Sequence, residues 1–404
     1  MKQKKNKKWM KFRHRVITVL ARWVLGPYTT IKLGIHPERF KEQGNRQYLI
    51  LMNHQTAFDQ FFIGMSFRGP IYYIATEDIF SLGWISKLLS WAVGPIPIKK
   101  QTTDVHAVMN CIRIAREGGT IALAPEGNRT YSGKTEYMNP AIVKLVKKLA
   151  LPIAIYKITG GYGVQPRWAD DIRKGKMHAG VSRVIEPQEY KAMSDDELYE
   201  LIAKELYVNE AFVDGEYHHK NLAQYIERAM YVCPECGLSE FESNGDTLTC
   251  KNCGLSARYL PTKELEGIGK PFPFTFVGQW YEYQNRFVSK LDLAEYADKP
   301  MYSDKADLSQ VIVYEHKELI KKDIGIGLYG DRVEFSGLDE DLTLMFDDIS
   351  AVSVLGRNKL NIYYGDKVYQ LKGNKRFNAL KYVNIYYHYV NIKDGKPEEL
   401  FLGL

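Results

Sequence analysis

At 404 residues, 45% apolar and 25% charged, the chain is too long for one ordinary hydrophobic core and too apolar to be disordered, so two or three globular domains are expected. The net charge of +7 lies in residues 1–15, where eight Lys and Arg stand with no acid, and the remainder sums to −1. That distribution excludes a broad nucleic-acid surface and leaves a local basic arm.

Behind the arm, residues 16–25 are apolar except for Thr18 and Arg22 and close at Gly26-Pro27. This is far short of the roughly 20 residues that a membrane-spanning helix needs. With Trp9, Phe12, Trp23 and Tyr28 available at headgroup level, residues 1–45 read as an amphipathic anchor lying in an anionic membrane face. A solvated tail before a core helix is the plainer alternative. A secretory signal also starts this way, but no small-x-small cleavage site follows.

Residues 46–230 read as an α/β domain. Compact apolar runs at 47–52, 71–75, 120–124 and 151–156 suit buried strands, and 82–91, 103–116 and 140–149 read as helices between them. Such alternation predicts a mostly parallel sheet with covering helices. A strand at 180–185 and a helix at 195–212, opened by a Ser194–Glu197 capping box, would close it. Residues 231–260 form a cysteine module, and 261–310 an aromatic linker with a helix from 277 to 291. Residues 311–404 carry short strands at 324–328, 332–335, 342–346, 349–354, 359–364 and 367–371, then a helix over 377–390 with Leu380, Val383, Tyr387 and Val390 on one face. An antiparallel β-rich domain ending in a helix resembles pleckstrin-homology-like or GRAM-like domains in layout.

The α/β domain holds two chemistry-bearing segments. Asn53-His54-Gln55-Thr56-Ala57-Phe58-Asp59 puts an imidazole and a carboxylate five residues apart. On one continuous helix they would point about 140° apart. They meet only if His54 precedes the helix and Asp59 sits in its first turn, which would fix the tautomer and leave the other ring nitrogen as a base. A capping histidine beside a helix-start carboxylate is the bland alternative. In Ala124-Pro125-Glu126-Gly127-Asn128-Arg129-Thr130, Glu126 and Arg129 follow a buried strand, where open α/β sheets place ligands. Gly127 permits close backbone approach, Arg129 offers paired donors to a phosphate, and Glu126 can hold a substrate hydroxyl. A surface turn pairing Glu126 with Arg129 would look the same.

These blocks resemble the glycerolipid acyltransferases, the family that includes the 1-acyl-glycerol-3-phosphate (lysophosphatidate) acyltransferases. Asn53, His54 and Asp59 match its Asn-His-x₄-Asp block, and Ala124–Thr130 its Phe-Pro-Glu-Gly-Thr-Arg-Ser block. Leu151-Pro152-Ile153 is similar to its Val-Pro-Ile block, and Pro97-Ile98-Lys99-Lys100 best matches the block ending Phe-Ile-Asp-Arg. The likeness covers residues 15–215. It implies that His54, held by Asp59, deprotonates a lysophospholipid hydroxyl, which attacks the thioester of acyl-CoA or acyl-acyl carrier protein. Glu126, Gly127 and Arg129 would place the glycerol phosphate, with Lys100 replacing an Arg and losing its bidentate fork. Ala124 and Asn128 also depart from the pattern, which weakens glycerol phosphate as the acceptor's polar part. A catalytically weak lipid- or protein-binding scaffold of the same fold is the alternative.

Cys233, Cys236, Cys250 and Cys253 form two Cys-x₂-Cys pairs with thirteen residues between, suited to tetrahedral S₄ coordination of a structural zinc. Rubredoxin-like iron or an iron–sulfur centre is the minor reading. Four thiolates leave no position for water, so the ion would staple the fold. The module's acids argue against nucleic acid and leave a protein partner for the ribbon and the C-terminal domain. The fifth cysteine, Cys111, reads as a buried thiol, and His106, His178, His218 and His219 as surface or structural residues. Reduced cysteines and the basic arm together place the protein at the cytoplasmic face of the cell membrane, as a peripheral or monotopic protein.

Overall fold

Runs such as Leu49-Ile50-Leu51-Met52 and Ile153-Ala154-Ile155-Tyr156 are apolar on both faces, which suits a parallel strand covered from both sides. A computed structural model describes residues 8–32, 35–81, 83–98, 104–312 and 315–403. Contacts divide the chain into an N-terminal unit of Met1–Thr130, Lys134–Val164 and Lys174–Val213, and a C-terminal unit of Tyr131–Gly133, Gln165–Arg173 and Asp214–Leu404.

The N-terminal unit runs α1 (Phe12–Pro27), β1 (Ile35–Pro37), β2 (Leu49–Met52), α2 (Asp59–Ser66), β3 (Ile71–Thr76), α3 (Trp84–Val93), β4 (Ile96–Ile98), α4 (Val105–Arg116) and β5 (Thr120–Leu123). It continues with α5 (Ala141–Leu149), β6 (Ile153–Thr159), α6 (Gly161–Val164), β7 (Met177–Ile185), α7 (Pro187–Tyr190) and α8 (Asp195–Leu206). The sheet order is β1-β7-β6-β2-β5-β3-β4. Its pairs are parallel except β6 with β7. Leu49, Leu51, Ile121, Ile153 and Ile155 bury one face against Cys111 and Ile114 of α4, Val143 and Val146 of α5, and Leu198 and Ile202 of α8. Phe67 and Tyr156 stack 6.2 Å apart, with Phe40 5.3 Å from Phe67.

The two short edge strands β1 and β4 were not read from the sequence, and two further features depart from its expectation. The helix expected over 195–212 stops at Leu206, because Tyr207 turns extended and Asn209 caps a separate turn at Glu210–Phe212 through its side chain. The last strand starts at Met177 rather than 180, because β1 pairs with Met177–Ala179 and extends the ladder.

In the C-terminal unit, β8 (Val232–Cys233) and β9 (Gly237–Leu238) form a short hairpin, and β10 (Phe241–Asn244), β11 (Thr247–Cys250), β12 (Ser256–Tyr259) and β13 (Leu265–Ile268) an antiparallel sheet. After α9 (Val277–Val288) come β14 (Tyr302–Ile312), β15 (His316–Leu328), β16 (Arg332–Ser336), β17 (Leu342–Met345), β18 (Ile349–Leu355), β19 (Lys359–Tyr364) and β20 (Lys367–Gly373), then α10 (Leu380–Lys393). These seven strands are antiparallel in the order β17-β16-β15-β14-β20-β19-β18. One core holds Phe241, Leu248 and Cys250 of the ribbon, Trp280 of α9, Leu308, Ile326, Ile362 and Leu371 of the sheet, and Leu380 and Val383 of α10.

Sequence patterning missed β14 and the first half of β15. Their exposed positions mix Lys, Glu, Asp, Ser and His with Leu319 and Ile320, and only Ala306, Leu308 and Val311 of β14 are both apolar and buried past its first residue. Nor does α10 bury a single stripe: Lys381, Asn384 and His388 are enclosed with its apolar residues.

The capping box at α8 has both halves, with Glu197 N–H donating to Ser194 Oγ at 3.2 Å and Ser194 N–H to Glu197 Oε2 at 2.7 Å. Ser194→Ala should lower stability by about 1 kcal/mol in a denaturant titration, since capping residues contribute about that much.

Candidate active site

Strands β2 and β5 are parallel neighbours, so the loops leaving their carboxyl ends emerge side by side. The first carries His54 and the second Glu126. Asn53, 1% exposed, ends β2 by pairing with the backbone of Ile158 in β6: its Nδ2 donates to the carbonyl and its Oδ1 accepts the N–H, both at 2.8 Å. This clamp fixes where the chain leaves the sheet.

His54 then stands before the helix and Asp59 is the first residue of α2. Their side chains meet, His54 Nδ1 lying 2.7 Å from Asp59 Oδ2. Asp59 is fully buried and also accepts the Gln55 N–H at 2.8 Å, the Thr56 N–H at 3.1 Å and the Thr56 hydroxyl at 2.6 Å. A carboxylate surrounded by donors at a helix amino end acts as their acceptor. The proton between the two therefore sits on His54 Nδ1. Nε2 is left with its lone pair on a side chain that is 24% exposed.

Glu126 is enclosed against the same loop. Its Oε1 accepts the His54 N–H at 2.9 Å and its Oε2 the Glu136 N–H at 2.8 Å. In the structure each carboxyl oxygen holds a backbone N–H, and each retains a lone pair for the substrate hydroxyl that the sequence reading assigned to it. Thr130 completes the tie, its N–H donating to the His54 carbonyl at 3.1 Å. Burial pushes the Glu126 carboxyl up to about 8, with the two N–H groups opposing that shift. Between them, Gly127 turns the loop at φ +68°, a left-handed conformation that suits glycine. Arg129 is half-buried two residues later. Lys100 lies outside the described residues.

Gln55 and Glu210 escaped the sequence reading. Gln55 Nε2 donates to Glu210 Oε1 at 2.9 Å, and Gln55 Oε1 accepts the Tyr162 N–H at 3.2 Å. Glu210 also accepts the Gly160 N–H at 2.7 Å. A Cβ on Gly161 would stand 2.6 Å from Gln55 Oε1, so only glycine lets β6's following turn close over this network. The signal available was weak: a glutamine beside a catalytic-looking histidine, with its partner 155 residues away. Cys111 is fully enclosed in α4, and burial pushes its thiol to about 12. His106 and His178 are exposed, and His218 and His219 face Glu216 and Asp171 at 3.2 and 3.7 Å.

Residues 34–158 match the acyltransferase family model. The N-terminal unit contains an acyltransferase-family domain. Its chain is 25% identical over 113 residues to the 1-acyl-sn-glycerol-3-phosphate acyltransferase of Borreliella burgdorferi, a stretch that covers 27% of this chain and 45% of that protein. The match thus spans less than half the length of the curated relative. Among solved structures, the 1-acyl-sn-glycerophosphate (LPA) acyltransferase PlsC of Thermotoga maritima is 19% identical at a TM-score of 0.39, covering 48% of this chain and 77% of that one.

The C-terminal unit holds the four cysteines together. The Sγ atoms of Cys233, Cys236, Cys250 and Cys253 lie within 4.8 Å of one another, with Cys233–Cys253 and Cys236–Cys250 both at 3.6 Å. Tetrahedral Zn–S bonds of about 2.3 Å imply sulfurs roughly 3.8 Å apart, so this donor set fits a four-thiolate metal site. Gly237 and Gly254, both at φ +76°, follow the second cysteine of each pair and turn the backbone around the sulfurs.

The raised Glu126 carboxyl yields a pH test. Its folded value exceeds its unfolded one, so its contribution to stability is present at low pH and falls as pH rises from about 4.5 through about 8. The melting temperature of the parent relative to Glu126→Gln should decline across that window. A flat difference would mean the carboxylate is as stable inside as in water.

Proposed function

We propose that the protein transfers a fatty acyl group from acyl-CoA or acyl-acyl carrier protein to the free hydroxyl of a lysophospholipid, with 1-acyl-glycerol 3-phosphate the leading acceptor. The observation that carries this reading is the 2.7 Å His54–Asp59 bond, made by a carboxylate already satisfied by three other donors. That arrangement leaves Nε2 as a positioned base, whereas a capping histidine needs no such tautomer control. The acyltransferase match over residues 34–158 and the activity for which the Borreliella relative is named support the same chemistry.

In the proposed reaction His54 Nε2 takes the acceptor hydroxyl proton as the oxygen attacks the thioester carbonyl. Asp59 stabilises the imidazolium. Collapse of the tetrahedral intermediate breaks the C–S bond, and the imidazolium returns the proton to the leaving thiolate. No acyl-enzyme forms. Glu126 is assigned to hold His54 through its backbone and, with Gly127 and Arg129, to place the acceptor's polar end, a task that Lys100 is assigned to share.

The acceptor and product are membrane lipids, and α1 supports a membrane-surface enzyme. It docks through its polar residues: His14 is 2% exposed, and Arg22 Nε donates to the Gly64 carbonyl at 2.7 Å. Its apolar stripe faces outward, with Phe12 81%, Trp23 77% and Val24 71% exposed. Trp84, Leu88 and Trp91 of α3, which packs on α1, are exposed as well. Among the described residues no helix is long and apolar enough to cross a membrane. The reading is therefore a helix lying in the cytoplasmic face, its basic arm on anionic lipid. The four cysteines are assigned one structural zinc, with no part in the chemistry.

His54→Ala should reduce thiol release from acyl-CoA in the presence of lysophospholipids by about 10²–10⁴-fold while leaving the melting temperature near that of the parent. Parent-like rates would end the catalytic assignment. Elemental analysis of freshly purified protein should find one zinc per chain, and its removal should raise hydrogen exchange across residues 231–260. Stoichiometric iron, or no metal, would overturn that part.

A further inference from the structure

Gln55 is 2% exposed, and its amide is used at both ends. Nε2 donates to Glu210 Oε1 at 2.9 Å, and Oε1 accepts the Tyr162 N–H at 3.2 Å. Glu210, 1% exposed, takes the Gly160 N–H on the same oxygen at 2.7 Å. A backbone N–H can only donate, so that oxygen is an acceptor and the Gln55 nitrogen must face it. An amide, with donor and acceptor set apart on one plane, answers both a carboxylate and an N–H. Burying this much polarity is costly unless every partner is in place. Here the partners come from 107 and 155 residues further along the chain.

The backbone of the same residue acts on the His54–Asp59 pair. Gln55 N–H donates at 2.8 Å to Asp59 Oδ2, the oxygen that lies 2.7 Å from His54 Nδ1. At the other end of that peptide, the His54 carbonyl accepts the Thr130 N–H at 3.1 Å. The peptide joining His54 to Gln55 is therefore held on both sides, and the Gln55 side chain fixes the Cα that follows it. Thr56 extends the support, its hydroxyl donating to Asp59 Oδ1 at 2.6 Å. A Cβ on Gly161 would stand 2.6 Å from Gln55 Oε1 and 3.0 Å from Thr56 Cγ2, so the turn after β6 lies directly against both residues. One Glu210 oxygen ties that turn and the Gln55 amide together.

We propose that Gln55 and Glu210 are positioning residues for acyl transfer. Glu210 sets the Gln55 amide, the amide sets the direction of the Gln55 N–H, and that N–H holds the Asp59 oxygen against His54 Nδ1. The effect on the reaction is the alignment of Nε2 with the acceptor hydroxyl, so it belongs in kcat rather than in KM. This role rests on His54 acting as the base, as in the acyl-transfer reading above. A plain structural staple would lower stability and leave the imidazole where it is.

The test measures acyl transfer from acyl-CoA to 1-acyl-glycerol 3-phosphate by the full-length protein. It also follows the downfield Nδ1–H proton resonance of His54, assigned by its loss in His54→Ala. Glu210→Ala and Gln55→Ala should each lower kcat about 10–100-fold and leave both KM values near those of the parent. The double variant should be no slower than the slower single one, because residues that act through one another are not additive. Glu210→Ala should shift or broaden the His54 resonance. Glu210→Gln, whose amide oxygen can accept both donors, should restore part of the rate and of the signal. Parent-like kcat in Glu210→Ala, losses that multiply in the double variant, or an unmoved His54 resonance overturns the positioning role. Should the alanine variants unfold, Gly161→Ala removes no hydrogen bond and presses a methyl on Gln55. It should lower kcat and move the resonance as well, and a parent-like result there overturns the role. A parent-like rate in His54→Ala ends the catalytic reading instead, and the resonance then still decides whether Glu210 holds the His54–Asp59 pair.

Discussion

The amide of the residue that leaves a parallel strand has no rung to join, and at His54 that amide is answered by the Glu126 carboxylate. The same carboxylate takes the Glu136 N–H, and Thr130 returns a bond to the His54 carbonyl. Three hydrogen bonds thus lock two loops from adjacent strands into one rigid piece. Leaving a buried N–H unanswered costs about 1–3 kcal/mol, so each loop is restrained by the other's requirement. Asp59 adds the second restraint by closing the turn before α2 over its own carboxylate. The imidazole is positioned from its backbone and from its ring at once.

A different constraint governs α1. Helices of globular proteins turn their apolar stripe inward, but here the carbonyls at Gly64 and Trp91 and the Tyr72 hydroxyl draw Arg22, Arg13 and His14 to the protein side. The apolar residues have nowhere to go but out. This inversion follows from hydrogen-bond demand on one face, and it explains why a sequence with only modest hydrophobicity can present so much apolar surface.

The α/β sheet was legible because its strands are apolar on both faces and its helices carry clear periods. So were the four cysteines, whose spacing alone encodes a tetrahedral cage. The seven-stranded sheet was legible only in part: the outer half of β15 exposes polar residues and the apolar Leu319 and Ile320 alike, so no alternation marks a buried face. At the site, the His54–Asp59 geometry follows from spacing once the strand end is known. The two backbone bonds of Glu126 do not, because a sequence does not show which N–H groups a carboxylate accepts. The Gln55–Glu210 bridge joins residues too far apart for any local pattern to register.

The C-terminal unit is assembled from interleaved chain. Trp168 and Ala169, translated ahead of nearly everything they pack against, belong to a core with Tyr259 and the ribbon rather than to the sheet whose strands flank them. Trp168, with Arg173 against its ring, is thus made before the Tyr259 ring that packs on its edge. Cutting the gene at residue 214 would separate neither half cleanly: one piece would keep an orphaned aromatic plug and the other an unplugged socket. In this protein domain shuffling is obstructed by topology.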